Sequence, residues 1–181
     1  MTKNYKHIKE SQLTITELML PSNSNFSGKI HGGYILNLMD QIAFACASKH
    51  SGNYCVTASV NKVDFLNPIE VGELVTMKAS INYTGRTSMV VGLRVESENI
   101  RTGKTKHCNS SYFTMVAKDE NGKSTPIPGI ILTNNHEVRR FARSITRQSE
   151  SKNRVSRFSG KVFKVDEYLS LLKNSNSKLE L

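Results

Sequence analysis

Between Tyr34 and His50 the apolar residues Ile35, Leu38, Met39, Ile42 and Cys46 recur at the spacing of one helical face, and Leu36, Ala43 and Ala47 widen that face further. Asn37, Gln41 and Ser48 form the only clearly polar strip. A five-turn helix this apolar cannot lie on a surface with one side bare; other structure has to wrap it. That requirement constrains the fold more than any other feature of the chain.

The wrapping material follows at once, because the period changes from 3.6 to two after Gly52. Val56, Ala58 and Val60 alternate with polar residues, as do Val75, Met77, Ala79, Ile81 and Tyr83. Met89, Val91, Leu93 and Val95 continue the pattern, and 106–118 makes a last strand. Gly72, Gly85 and Gly103 fall at or near short connections. Ahead of the helix, Leu13, Ile15 and Met19 read as a first strand ended by Pro21. Short links favour antiparallel pairing, since parallel neighbours need long crossovers. The expected architecture is α+β, an antiparallel sheet curled around one long helix.

Pro126 and Pro128 are expected to close this unit, giving a domain over 1–133 and a basic C-terminal helix and tail over 134–181. Asn134 or Asn135 is placed to cap a helix running to about Arg147, with Val138, Phe141, Ala142 and Ile145 on one side. Residues 148–164 read as a basic linker, and 166–173 as a last short helix anchored by Tyr168, Leu169 and Leu172. Half of the net charge of +10 sits in 134–157, where seven Lys/Arg meet two Asp/Glu. Such charge attracts any polyanion and selects none. No stretch approaches the ~20 apolar residues of a membrane helix, and the polar start lacks a signal-peptide core. Three scattered cysteines, Cys46, Cys55 and Cys108, argue for buried thiols in a reducing compartment. A soluble cytoplasmic protein without membrane insertion is expected.

Chemistry concentrates between Asn25 and Asp40. The pair Gly32-Gly33 opens the apolar helix, where backbone N–H groups lack intrahelical acceptors. One carboxylate, Asp40, follows Gly33 by seven residues. Seven steps of ~100° return to within ~20°, so the two share a face, about 10 Å apart along the axis. A reacting carbonyl carbon should sit roughly 3 Å from both its oxyanion donor and the attacking water. Two such helices packed antiparallel across a dimer resolve the mismatch, with Gly33 of one copy facing Asp40 of the other. Asp40 has the apolar wheel neighbours Leu36, Ala43, Phe44 and Ala47, a setting in which a carboxylate is either paired or functional. His31 either orients the turn or touches substrate, and Asn25 either positions water or an acyl carbonyl or simply makes a turn.

Other chemistries find less in the sequence. The five histidines, His7, His31, His50, His107 and His136, show no metal-ligand spacing with the cysteines. Neither a nucleophile-elbow serine motif nor a phosphate-binding Gly-rich loop occurs. Water activated by a carboxylate is therefore preferred to a covalent serine or cysteine, with no metal and no cofactor.

Taken together, Asn25-x-x-Gly28-x-x-His31-Gly32-Gly33, Met39-Asp40, Val56-Thr57-Ala58-Ser59-Val60, Phe65-x-x-Pro68-x-x-x-Gly72 and Thr84-Gly85-Arg86-Thr87-Ser88-Met89 resemble the hotdog-fold acyl-CoA thioesterases of the cytosolic, brain-type class. The resemblance spans roughly residues 10–130. It implies a five-stranded antiparallel sheet around the helix, edge-to-edge dimers as the minimal active unit, and commonly a trimer of dimers. It also implies hydrolysis of fatty acyl-CoA, with Asp40 as general base, Asn25 from the facing subunit and the Gly33 amide as oxyanion donor. His31 and Gly32 then adjoin the substrate, and Gly85, Arg86, Thr87 and Ser88 form the turn that meets the CoA phosphates. Two other readings stay open: an acyl-CoA-sensing domain without catalysis, and a hydratase built on a His31 and Asp40 pair. No DNA-reading motif precedes the domain, and no nucleic-acid partner is expected.

Overall fold

A computed structural model describes residues 4–158 of the 181. The elements run β1 (Tyr5–His7), β2 (Leu13–Leu18), α1 (Gly32–Ser51), β3 (Tyr54–Val60), β4 (Glu73–Thr84), β5 (Ser88–Asn99), β6 (Lys104–Lys118), β7 (Gly129–Ile131) and α2 (Asn135–Phe158). Five strands form one sheet in the order β2-β4-β5-β6-β3, every pair antiparallel. α1 touches all five. This is the hotdog arrangement, a helix enclosed by a curled sheet.

The broad apolar arc accounts for that arrangement. Ile35, Leu38, Met39, Ile42, Ala43, Cys46 and Ala47 are buried against Val75, Met77, Ala79, Ile81, Met89, Val91, Leu93, Val95, Phe113 and Met115, which are the alternate residues of β4, β5 and β6. Full burial of each large side chain contributes about 1.5–3 kcal/mol. α1 stops at Gly52, whose left-handed φ of 72° is open to glycine and whose N–H donates to Ser48 O at 2.8 Å.

Three departures from the sequence reading stand out. β1 pairs with β7 as a small parallel ribbon, Tyr5 opposite Gly129, so the chain past Pro126 and Pro128 returns to the N-terminus. In β3 the register shifts between Thr57 and Ser59, leaving Ala58 as a bulge. Ala58 and Val60 are consequently exposed, where the alternation placed them in the core. Finally, α2 continues through residues 148–158, expected as linker, because that stretch contains neither Gly nor Pro and consists largely of residues that tolerate helix. The short helix expected at 166–173 lies outside the described residues.

One compact unit extends to Ile145 and a second begins at Thr146. Asn134 caps α2: its Oδ1 accepts the Glu137 N–H at 3.1 Å, while Glu137 Oε2 accepts the Thr133 N–H at 2.6 Å. Within the first unit, the Phe141 ring meets that of Tyr83 with centroids 5.4 Å apart, and Ser144 is fully buried.

Candidate active site

The start of α1 is held open on one side. His31 has extended backbone and caps the helix without a side-chain hydrogen bond; its N–H donates to Asn23 O at 3.0 Å, and its carbonyl accepts from Tyr34 and Ile35. Among the described residues no acceptor takes the Gly33 N–H. The two glycines do different things. A Cβ on Gly32 would come within 3.1 Å of the Phe65 ring, which leans over the helix start, whereas a Cβ on Gly33 would meet nothing within 4 Å. No steric contact inside the chain requires glycine at 33, and the residue is exposed.

Asp40 lies two turns further on and is exposed rather than enclosed. Its Oδ1 accepts the Thr57 hydroxyl at 2.6 Å, a short, charge-assisted hydrogen bond. Thr57 occupies the last register position before the β3 bulge, opposite Met115, so the bulge fixes which way this hydroxyl points. The wheel neighbour Phe44 (37% exposed) packs edge-on against Tyr54 (63% exposed), and Val60 (46% exposed) ends the same outer strand. β3 is the last strand on its side of the sheet. A carboxylate with one oxygen engaged thus stands beside an apolar face and a bare strand edge.

Asn25 organises the preceding loop. Its Oδ1 accepts from Ser27 N at 3.0 Å, Ser27 Oγ at 2.7 Å and Lys29 N at 3.1 Å, while its own N–H donates to Lys29 O. The turn-making role is therefore present, and the Nδ2 amide hydrogens are left over. Gly28 at φ 75° completes the reversal. Next to Asn25, Phe26 is entirely exposed. Lys29 pairs with Glu70, and Tyr34 donates to Glu17, a bond that pushes the Tyr34 phenol above its ordinary range together with burial.

The β4–β5 hairpin carries Gly85, Arg86, Thr87 and Ser88. Gly85 N–H donates to Ser88 O at 2.7 Å, and a Cβ there would crowd Ser88 Oγ at 3.3 Å. Thr87 O and Arg86 O accept from Ala117 and Ile127, so the backbone of the tip is fixed while the Arg86 side chain stands exposed. A single chain thus brings Asp40 together with Thr57, and records no bond from Asp40 to Asn25, Gly33 or the hairpin. Thr57 was given no role in the sequence reading, although it lies in the motif Val56-Thr57-Ala58-Ser59-Val60 that carries part of the resemblance.

The cysteines are poor nucleophiles by placement. All three are buried and free, and burial pushes the Cys46 thiol up to about 12. No group of His, Cys, Asp or Glu among the described residues could hold a metal ion. No helix among them is long and apolar enough to cross a membrane.

Comparison with known proteins agrees with this geometry. A family model described as the thioesterase superfamily matches residues 27–104. Protein VdlD of Helicobacter pylori is 44% identical over 138 residues, 76% of this chain and 79% of its own length. YkhA of Bacillus subtilis, named as an uncharacterized acyl-CoA thioester hydrolase, is 32% identical over 84% of this chain and 89% of its own. A hexameric acyl-CoA thioesterase solved without ligand superposes with a TM-score of 0.82 at 36% identity, covering 84% of this chain and 97% of that one. The Staphylococcus aureus acyl-CoA hydrolase, solved with butyryl-CoA, CoA and CoA disulfide, superposes with a TM-score of 0.79 at 28% identity, covering 94% and 99%. It has also been solved with single Asn, Asp or Thr residues replaced by alanine. The chain belongs to the hotdog thioesterase superfamily, among the acyl-CoA thioester hydrolases.

Proposed function

We propose that this protein hydrolyses fatty acyl-CoA to free fatty acid and CoA, in a site completed by a second copy of the chain. The observation that carries the reading is an unpartnered Gly33 amide and an exposed Asp40 on the same helix, with Asp40 bonded to Thr57 of the edge strand β3. The Gly33 N–H donates to the thioester carbonyl oxygen and stabilises the charge that develops there. Asp40 takes a proton from water as its oxygen bonds to the carbonyl carbon. The C–S bond then breaks, and the CoA thiolate leaves with the proton from Asp40. No cofactor or metal is needed. Thr57 occupies Oδ1 of Asp40 and turns the other oxygen toward water, which makes it a positioning residue.

Asn25 of the facing copy assists, its Nδ2 free for the water or the acyl carbonyl. His31 and Gly32 adjoin the acyl group, and Gly85, Arg86, Thr87 and Ser88 receive the CoA phosphates through N–H groups, hydroxyls and a guanidinium. The alanine-replaced Asn, Asp and Thr of the Staphylococcus hydrolase are separated by 15 and 17 residues. Those are the separations of Asn25, Asp40 and Thr57, which supports these roles. Hexameric relatives support a trimer of dimers. Residues 1–133 form the catalytic domain in this reading, with 134–181 as an extension, and the protein works in the cytoplasm.

A thiol-release assay from acetyl-CoA to palmitoyl-CoA tests the reading. Asp40→Ala is expected to lower kcat roughly 10²- to 10⁴-fold with the fold preserved. Turnover at the parent rate removes Asp40 from the mechanism.

A further inference from the structure

The sheet face turned away from α1 is not featureless. Lys78, Ser80 and Asn82 of β4, Gly92 and Arg94 of β5, and Ser110 of β6 line a cavity of about 390 Å³, which Arg140 of α2 also borders. That volume falls within the range of small-molecule sites. In the β4–β5 register Lys78 stands directly opposite Arg94, a placement that costs stability unless a counter-charge is at hand. Glu96 is the one carboxylate that serves both, at 2.7 Å from Lys78 Nζ and 2.8 Å from Arg94 Nε. The Arg140 guanidinium has no ion pair among the described residues. Lys78 and Arg94 therefore share one anion, Glu96, which Arg94 engages through Nε, while Arg140 has Glu137 on its own helix as its nearest counter-charge.

A second observation concerns Asn82. The β4–β5 register shifts between Ile81 and Tyr83, and the extra residue, Asn82, folds its side chain over Gly92. A Cβ on Gly92 would lie 2.0 Å from Asn82 Nδ2, so mid-strand glycine is what admits the amide. Asn82 is only 4% exposed, and its Oδ1 accepts from Ser80 Oγ at 3.1 Å. Its amide borders the cavity. An excess of positive charge and an amide held in place by Ser80 and Gly92 meet here in one concavity.

We propose that this cavity binds a phosphorylated small molecule with two or more negative charges, held by Lys78, Arg94 and Arg140 and oriented by the Asn82 amide. Guanidinium forks match phosphate oxygens in pairs, and an amide N–H donor adds a fixed direction. The proposal stands on this face alone and does not depend on the thioesterase mechanism.

Calorimetric titration of the full chain with inorganic pyrophosphate and, separately, ribose 5-phosphate tests it. Saturable binding is expected. It should weaken at least about tenfold both in the double variant Arg94→Gln/Arg140→Gln and in Asn82→Ala, and persist in Arg86→Gln, which removes the hairpin cation. Tighter binding of pyrophosphate marks an inorganic or diphosphate ligand, and tighter binding of the ester marks a sugar phosphate; either supports the site. Absence of binding by both probes, loss in Arg86→Gln, or an affinity that follows the arginines but ignores Asn82 overturns it. The last result would mean diffuse charge attraction without a shaped site.

Discussion

At the scale of single residues, Gly33 and Asp40 could be picked out as chemical types, and the reason is positional. A glycine in the first helical turn and a carboxylate one heptad later are unusual companions in so apolar a stretch. Gly33 also permits a sharp test. Because a Cβ there meets nothing within 4 Å, Gly33→Ala should keep or raise folding stability by up to about 1 kcal/mol, the ordinary helix preference for alanine. The added methyl stands beside the donor, and kcat should fall. Thermal melting together with steady-state kinetics checks both halves, and a fully active variant would show that substrate does not pack against the space beside this amide. Thr57 was illegible by contrast, since its contact with Asp40 depends on where a bulge falls in β3. The apolar alternation Val56, Ala58, Val60 runs unbroken across the register shift, so the sequence does not mark where the bulge falls.

At the scale of elements, α1 and β4 to β6 were legible because each is long enough to show its period several times. The β1–β7 ribbon was not: three residues per strand give no period, and the partners are more than a hundred residues apart. What joins that ribbon to the helix is His50. Its Nε2–H donates to Pro128 O at 3.1 Å, Nδ1 faces Ser11 Oγ at 3.4 Å, and its own carbonyl accepts from Lys6 Nζ at 2.8 Å. Burial pushes the imidazole below its ordinary value, so the folded state holds it neutral. Stability from a lowered base is complete above the unfolded value of about 6.5 and declines as pH falls through it. Chemical denaturation between pH 7.5 and 5 should show that decline, and His50→Gln should flatten it. The β4–β5 hairpin behaves differently, with a rigid backbone and a free guanidinium. Arg86→Ala should raise KM about tenfold and leave kcat nearly unchanged, since phosphate contacts alter little between ground and transition state. A change confined to kcat would contradict that role.

At the scale of the whole molecule, the proposed mechanism needs a second chain, because the helix that presents Gly33 presents Asp40 about 10 Å further along. Phe26 and Phe44 are exposed and β3 ends the sheet, surface of the kind a second copy would cover. The outward-facing Asp40 has a further consequence, and it is genetic in form. If each active centre takes Asp40 from one copy and Asn25 with Gly33 from the other, a chain lacking Asp40 and a chain lacking Asn25 are both dead alone. Refolded together, they form mixed pairs in which one centre carries both lesions and the other carries none. Random pairing should restore about a quarter of parental activity from two inactive stocks, and a centre contained within a single subunit would restore nothing.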